Sequence, residues 1–262
     1  VAKGWQTVEM PEKNTPEYLS VRYSHPLWIV KMWLSKYDFE TVGKICEANN
    51  CAPDVCICVN TLKTSAGELK KTLEEKGISV KERIYEKNAL HLKGISNVAE
   101  MQEFRDGLFH VQDESSMLAV DVLDPAANEK ILDVCAAPGG KSFYAAERMG
   151  GAGRVVSCDI YPHKTELISV TADRLGLGII ETRLRDASVL NEDDREKYDR
   201  VIIDAPCSGL GIIRKKPDIK INRTGEDIDS LIELQKRIID ASAECVKPGG
   251  LLVYSTCTIC KK

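Results

Sequence analysis

The sequence predicts an α/β protein, with a mostly parallel, doubly wound sheet preceded by a small α+β module. Three observations carry that expectation. From about residue 128 onward, short apolar runs suited to buried strands alternate with segments of helical period. Several of those runs end in an aspartate or in a turn rich in small residues. The 262 residues are 43% hydrophobic and 29% charged, enough for one large domain, or for a larger domain plus a smaller module.

The elements follow in order. Residues 1–50 read as a helical lead-in, dense after Pro26 in Leu27, Trp28, Ile29, Val30, Met32, Trp33 and Leu34, a pattern of packing rather than of cofactor contact. Residues 55–59 suit a buried strand. Ser65 and Glu68 form a capping box ahead of Leu69 and Leu73, and Gly77 ends that helix. Strand-like segments at 79–85 and 89–92 complete a small α+β module over 51–125. In 126–262, the segments 130–134, 154–158, 179–184 and 200–203 read as strands, and 141–149 and 162–175 as helices, the latter with Pro162 in its first turn. Thr224 and Asp227 open another helix, which Pro248-Gly249-Gly250 is expected to end before a last strand at 251–254.

Composition narrows the function classes. A net charge of −4 argues against a strongly basic nucleic-acid binder. Yet Arg214, Lys215, Lys216, Lys220 and Arg223 face only Asp218 between Pro206 and Thr224, and a phosphate contact is expected there. No apolar run reaches the roughly 18 residues of a membrane span. The chain starts with Val rather than Met and shows no signal-peptide core. Ten irregularly spaced cysteines read as reduced thiols of an intracellular, cytoplasmic protein. Cys46, Cys51, Cys56 and Cys58 lack paired C-x-x-C spacing, so no metal is expected.

Ligands of such sheets bind beyond the C-terminal strand ends. The first strand ends in Asp133-Val134-Cys135-Ala136-Ala137-Pro138-Gly139-Gly140-Lys141, where small residues admit a ligand close to the backbone. The helix that follows offers free N–H groups. Asp159, at the second strand end, is placed for the hydroxyls of an adenosine ribose, and Asp186 for the adenine amino group. The dehydrogenase and P-loop fingerprints are absent, which favours an adenosyl amino acid over a dinucleotide or ATP. Two further strand ends, Asp204-Ala205-Pro206-Cys207 and Ser255-Thr256-Cys257, are expected to bring two thiols and a carboxylate together. A lone strand-end Cys is more often packing; a convergent pair points to a nucleophile.

Four motifs carry a resemblance to a known family: FRDGLFHVQDESSMLAV (104–120), DVCAAPGGK (133–141), DAPCSG (204–209) and STC (255–257). On these, residues 104–262 resemble the Nop2/Sun family of RNA cytosine-5 methyltransferases. The lead-in RYSHPLWIVKMW (22–33) resembles its bacterial 16S ribosomal RNA methyltransferase B branch. The resemblance implies a Rossmann-like S-adenosylmethionine-dependent domain acting on RNA, with 16S rRNA expected before tRNA, and a monomer. It assigns Cys135, Ala136, Ala137, Pro138, Gly139, Gly140, Lys141, Asp159, Asp186 and Asp204 to the S-adenosylmethionine site. Cys257 would attack the base and Cys207 would assist release, with Lys141 and Asp204 touching the cytosine and the α+β module holding RNA.

Two departures are expected to matter. That branch carries a helical RNA-binding domain ahead of this lead-in, and two strands beyond the nucleophile strand, so the chain reads as a fragment. Cys257 and Cys260 also form a C-x-x-C, though not at the helix-opening position of redox motifs. The rival readings are a DNA cytosine-5 methyltransferase with Cys207 as nucleophile, and an RNA-binding assembly factor with an idle site.

Overall fold

A computed structural model describes residues 9–81, 85–95 and 97–259. The helices are α1 (Pro16–Tyr23), α2 (Leu27–Leu34), α3 (Phe39–Asn49), α4 (Ala66–Glu75), α5 (Gln102–Arg105), α6 (Glu114–Leu123), α7 (Gly140–Arg148), α8 (Pro162–Leu175), α9 (Ile219–Asn222) and α10 (Gly225–Ala243). The strands are β1 (Val55–Val59), β2 (Val80–Lys81), β3 (Ala89–Leu92), β4 (Phe109–Val111), β5 (Lys130–Asp133), β6 (Arg154–Asp159), β7 (Ile180–Leu184), β8 (Tyr198–Asp204) and β9 (Val246–Ser255). They fall into two compact units: residues 54–206 with 233–256, and residues 1–53 with 207–232 and 257–262.

The larger unit holds both sheets. One is five-stranded in the order β7-β6-β5-β8-β9, with every neighbouring pair parallel. Its central strands are apolar on both faces, as a sheet covered on each side requires. Ile131, Val155 and Ile202 point to one core with Met117, Phe143 and Ile168. Leu132, Val156, Val201 and Ile203 point to the other, with Leu234 and Ile238 of α10. The second sheet is antiparallel, β2-β3-β1-β4. Alternation along β1 explains its cysteine-rich run: Ile57 and Val59 pack with Leu69 and Leu73 of α4, while Cys56 and Cys58 face the core of α6 and α7.

The smaller unit is a helical cluster. Leu19, Ile29, Val30, Trp33, Val42 and Cys46 from α1–α3 enclose Leu210 and Ile213. Each helix has a local start signal. Thr15 caps α1 by accepting from Tyr18 N, Asp38 caps α3 by accepting from Thr41 N, and Pro26 precedes α2.

Local signals in the sequence met different outcomes. The Ser65–Glu68 capping box forms in full, and Thr224 and Asp227 exchange the same pair of contacts. Pro248-Gly249-Gly250 does not end a helix. The helix stops at Ala243, and those residues lie inside β9, where the short stretch of β8 from Tyr198 to Arg200 opposes the longer span from Val246 to Leu251. A bulge of that size accepts a proline without an N–H, and Gly249 takes the positive φ of 80° that it needs. Of the strand expected at 79–85, Val80–Lys81 is observed, and 82–84 lie outside the described residues. Helix α6 and strand β4 were not read from the residue pattern.

Candidate functional site

In the larger unit, the C-terminal ends of β5, β6, β7 and β8 open on a cavity of about 330 Å³, within the roughly 300–1,000 Å³ of small-molecule sites. Cys135, Ala137, Asp159, Asp186 and Asp204 line it. Ala136, Pro138, Gly139, Gly140 and Lys141 are not among its lining residues. Gly139 has φ 108°, and a Cβ there would meet Phe143 Cζ at 2.3 Å, so the tight turn into α7 demands glycine. No side chain caps the first turn of α7. The sequence reading missed Ile160, Tyr161, Lys164, Leu234 and Ile238, which supply the cavity's apolar and cationic wall. Ile160 and Tyr161 directly follow the β6 aspartate, which was the available signal; Leu234 and Ile238 come from α10 and required the fold.

Each acid has a defined setting. Asp159 is 7% exposed, accepts from Tyr161 N at 3.1 Å and lies 3.6 Å from Lys164 Nζ. Asp186 accepts from the N–H and hydroxyl of Ser188, contacts that hold its carboxyl below the usual range and keep it ionised. Asp204 is pinned on both oxygens. Lys141 Nζ donates to Oδ2 at 2.6 Å, and Ser255 Oγ donates to Oδ1 at 3.1 Å. Lys141 is therefore committed to Asp204, an ammonium only 8% exposed against a carboxylate 39% exposed.

Beneath the turn, Asp133 is fully enclosed and accepts from Ser142 Oγ at 2.7 Å, which in turn accepts from Ser157 Oγ. Burial pushes its carboxyl up to about 7, against the Ser142 contact. Burial first, then Asp133 and Asp159, pushes the Cys135 thiol up to about 12. Cys135 is thus a neutral wall residue. The small turn and uncapped α7 suit an amino-acid carboxylate, Asp159 suits a ribose diol, and the apolar wall suits an adenine. These residues fit S-adenosylmethionine.

The thiols expected to converge lie in the smaller unit. Cys207 Sγ and Cys257 Sγ are 3.0 Å apart, and Cys257 N donates to Cys207 Sγ at 3.3 Å. Ser208 and Thr258 hydroxyls pair at 2.7 Å, and Gly211 N donates to Cys257 O at 3.0 Å, so the two loops run clamped together. A Cβ on Gly211 would sit 2.9 Å from that carbonyl. The first loop is anchored by Leu210 and Ile213 in the helical cluster, which gives the lead-in a use that its own sequence did not announce. Cys257 is exposed, and Cys207 is 8% exposed. Cys260 lies outside the described residues.

Two cations of the basic segment, read as a phosphate contact, are engaged within the chain. Arg214 donates to the carbonyls of Cys51 and Ala52, and Lys220 donates to Asn50 Oδ1. These two cations tie the loop to the end of α3.

Comparison with known proteins places this geometry. Residues 120–262 match the family model described as 16S rRNA methyltransferase RsmB/F, and residues 25–99 match the RsmF/B-like ferredoxin-like domain. The chain is 44% identical over 243 residues to the probable ribosomal RNA small subunit methyltransferase B of Bacillus subtilis (strain 168), covering 92% of this chain and 54% of that protein. The chain thus spans about half the length of the curated relatives it matches. Among solved structures, one titled PH0851 superimposes with a TM-score of 0.90 at 31% identity, over 97% of this chain and 57% of that one. A methyltransferase homolog protein from Pyrococcus horikoshii gives 0.80 at 31%, over 92% and 76%. The sheet is accordingly the Rossmann-like sheet of a methyltransferase, and the chain belongs to the 16S rRNA methyltransferase RsmB/F family.

Proposed function

We propose that the chain carries the methyltransferase machinery for carbon 5 of a cytosine in small-subunit ribosomal RNA, through a covalent Cys257–cytosine intermediate. The observation that carries the reading is the thiol pair at 3.0 Å. Pro206 lines the adenosyl-type cavity and is bonded directly to Cys207, one Cα–Cα step of about 3.8 Å.

The chemistry asks for this set. Carbon 5 of cytosine is a weak nucleophile. Addition of the Cys257 thiolate to carbon 6 makes carbon 5 enamine-like. Asp204, oriented by Lys141 and Ser255, shares a proton with ring nitrogen 3 and so stabilises the adduct. S-adenosylmethionine, when bound, supplies an electrophilic methyl group. After carbon 5 is methylated its proton must leave. We assign that assistance to Cys207, after which carbon 6 expels Cys257. The target base must be unstacked to reach the thiols. The relatives named for small-subunit ribosomal RNA support rRNA over tRNA. A reducing, cytoplasmic setting fits a chain whose ten cysteines are irregularly spaced.

The test is transfer of labelled methyl from S-adenosylmethionine to unmodified 16S rRNA by the full-length protein, followed by nucleoside analysis. The expected product is 5-methylcytidine in 16S rRNA. Label in another nucleoside, or in tRNA alone, contradicts the proposal.

A further inference from the structure

We propose that Cys58, His110 and Glu147 form a buried binding site for a zinc-type divalent cation, separate from the methyl-transfer site. Cys58 on β1 and His110 on β4 are direct cross-strand partners. Glu147 sits on α7, the helix opened by the Gly139-Gly140 turn. All three lie in the larger unit and are enclosed, at 0%, 3% and 3% exposure. Cys58 Sγ is 3.7 Å from Glu147 Oε2, His110 Nδ1 is 3.5 Å from Glu147 Oε1, and all the donor atoms lie within 4.8 Å of one another. Ligand atoms on a tetrahedral zinc, at roughly 2.0–2.3 Å from the metal, stand roughly 3.3–3.7 Å apart. A small contraction makes this set a coordination sphere.

A second, independent observation points to a cation. His110 Nε2 donates to Gln112 Oε1 at 2.8 Å, and the Phe143 ring lies edge-on to the imidazole at 5.5 Å. A ring held this way turns its Nδ1 toward Glu147 Oε1. Beyond their mutual approach at 3.5 Å, neither His110 Nδ1 nor Glu147 Oε1 has a hydrogen-bond partner in the structure. A cation between these two buried polar atoms would satisfy both. Gln112 then does what outer partners of metal-bound histidines do: it fixes the tautomer and the ring.

Charge and proton counts close. A dication with one thiolate, one carboxylate and one neutral imidazole is net neutral, which suits a dry interior. The Cys58 thiol proton leaves on binding, as thiolate ligation requires. One sulfur, one nitrogen and one oxygen ligand select zinc over magnesium or calcium, which take oxygen shells. Water fills the remaining tetrahedral position. The site would staple the antiparallel sheet to α7.

The test uses the full-length protein without an affinity tag, stripped with chelator and carrying Cys51→Ser, Cys207→Ser and Cys257→Ser, so that these thiols cannot contribute. Cobalt titration is expected to saturate at one ion per chain, with tetrahedral visible bands and a thiolate-to-cobalt charge-transfer absorption that zinc abolishes. Adding Cys58→Ser should remove that absorption, and Glu147→Gln should weaken cobalt binding at least about a hundredfold. X-ray absorption of the zinc form, which needs no Cys58 variant, should show one sulfur among nitrogen and oxygen neighbours. No retained ion, a charge-transfer band that survives Cys58→Ser, or a shell with no sulfur or several, overturns the proposal.

Discussion

Cys135 and Cys257 each follow a strand of the parallel sheet, yet their surroundings have little in common. Cys135 is half-enclosed in the turn after β5, beside Asp133 and Asp159, and its thiol is pushed up to about 12. Cys257 is exposed, beyond the end of β9, with a second sulfur at 3.0 Å and its backbone clamped to the neighbouring loop. Position at a strand end therefore does not make a cysteine reactive. Burial among carboxylates makes one a wall, and exposure beside a paired loop makes the other available to a substrate.

The largest effect expected separates the two loops from the turn. Cys257→Ser should lower methyl transfer at least about a thousandfold, as loss of a covalent nucleophile does. Cys207→Ser should instead accumulate a covalent RNA adduct, seen as a shifted band on a denaturing gel. Adduct in Cys257→Ser and none in Cys207→Ser would exchange the roles. Next comes Asp159→Ala. It deletes the buried acid at the end of β6, and calorimetry should find S-adenosylmethionine binding weakened about a hundredfold, the loss of about two charge-assisted hydrogen bonds. Unchanged affinity would remove Asp159 from the ribose role.

A smaller effect probes the floor of the turn. Asp133 holds its proton up to about 7 in the folded chain, against an ordinary value of 3.8. Between those values the folded state binds more protons than the unfolded one. Stability contributed by this group is therefore present below 3.8 and falls as pH rises to about 7, at up to roughly 1.4 kcal/mol per pH unit. Asp133→Asn should flatten that part of the profile in urea unfolding at a series of pH values. Identical slopes would contradict it. The smallest effect belongs to Cys135→Ala, which should change methyl transfer by less than about tenfold and leave adduct formation intact, since it removes one neutral wall atom.

How much was legible in the sequence depended on how local the signal was. The strand-end aspartates, the small-residue turn and the capping boxes at Ser65 and Thr224 are short-range statements, and the parallel sheet follows from apolar strands alternating with helices. Pro248-Gly249-Gly250 misled because a proline and two glycines serve a wide bulge as well as a helix stop. The α10 side chains lining the cavity could not be found, because their place depends on where a helix lies on the sheet rather than on spacing. The use of α1–α3 as a seat for Leu210 and Ile213 depends on contacts across more than 160 residues of chain. Cys58 illustrates the same limit. Judged against its cysteine neighbours it had no ligand spacing, and its company on the folded chain is His110 and Glu147.

The central claim is that Cys257, rather than Cys207 or Cys135, bonds to the base. RNA carrying 5-fluorocytosine at the target has no carbon-5 proton to lose, so the adduct cannot resolve after methyl transfer. Peptide sequencing of that trapped complex by mass spectrometry should find the nucleotide on Cys257. A nucleotide on Cys207 or Cys135 would contradict the account.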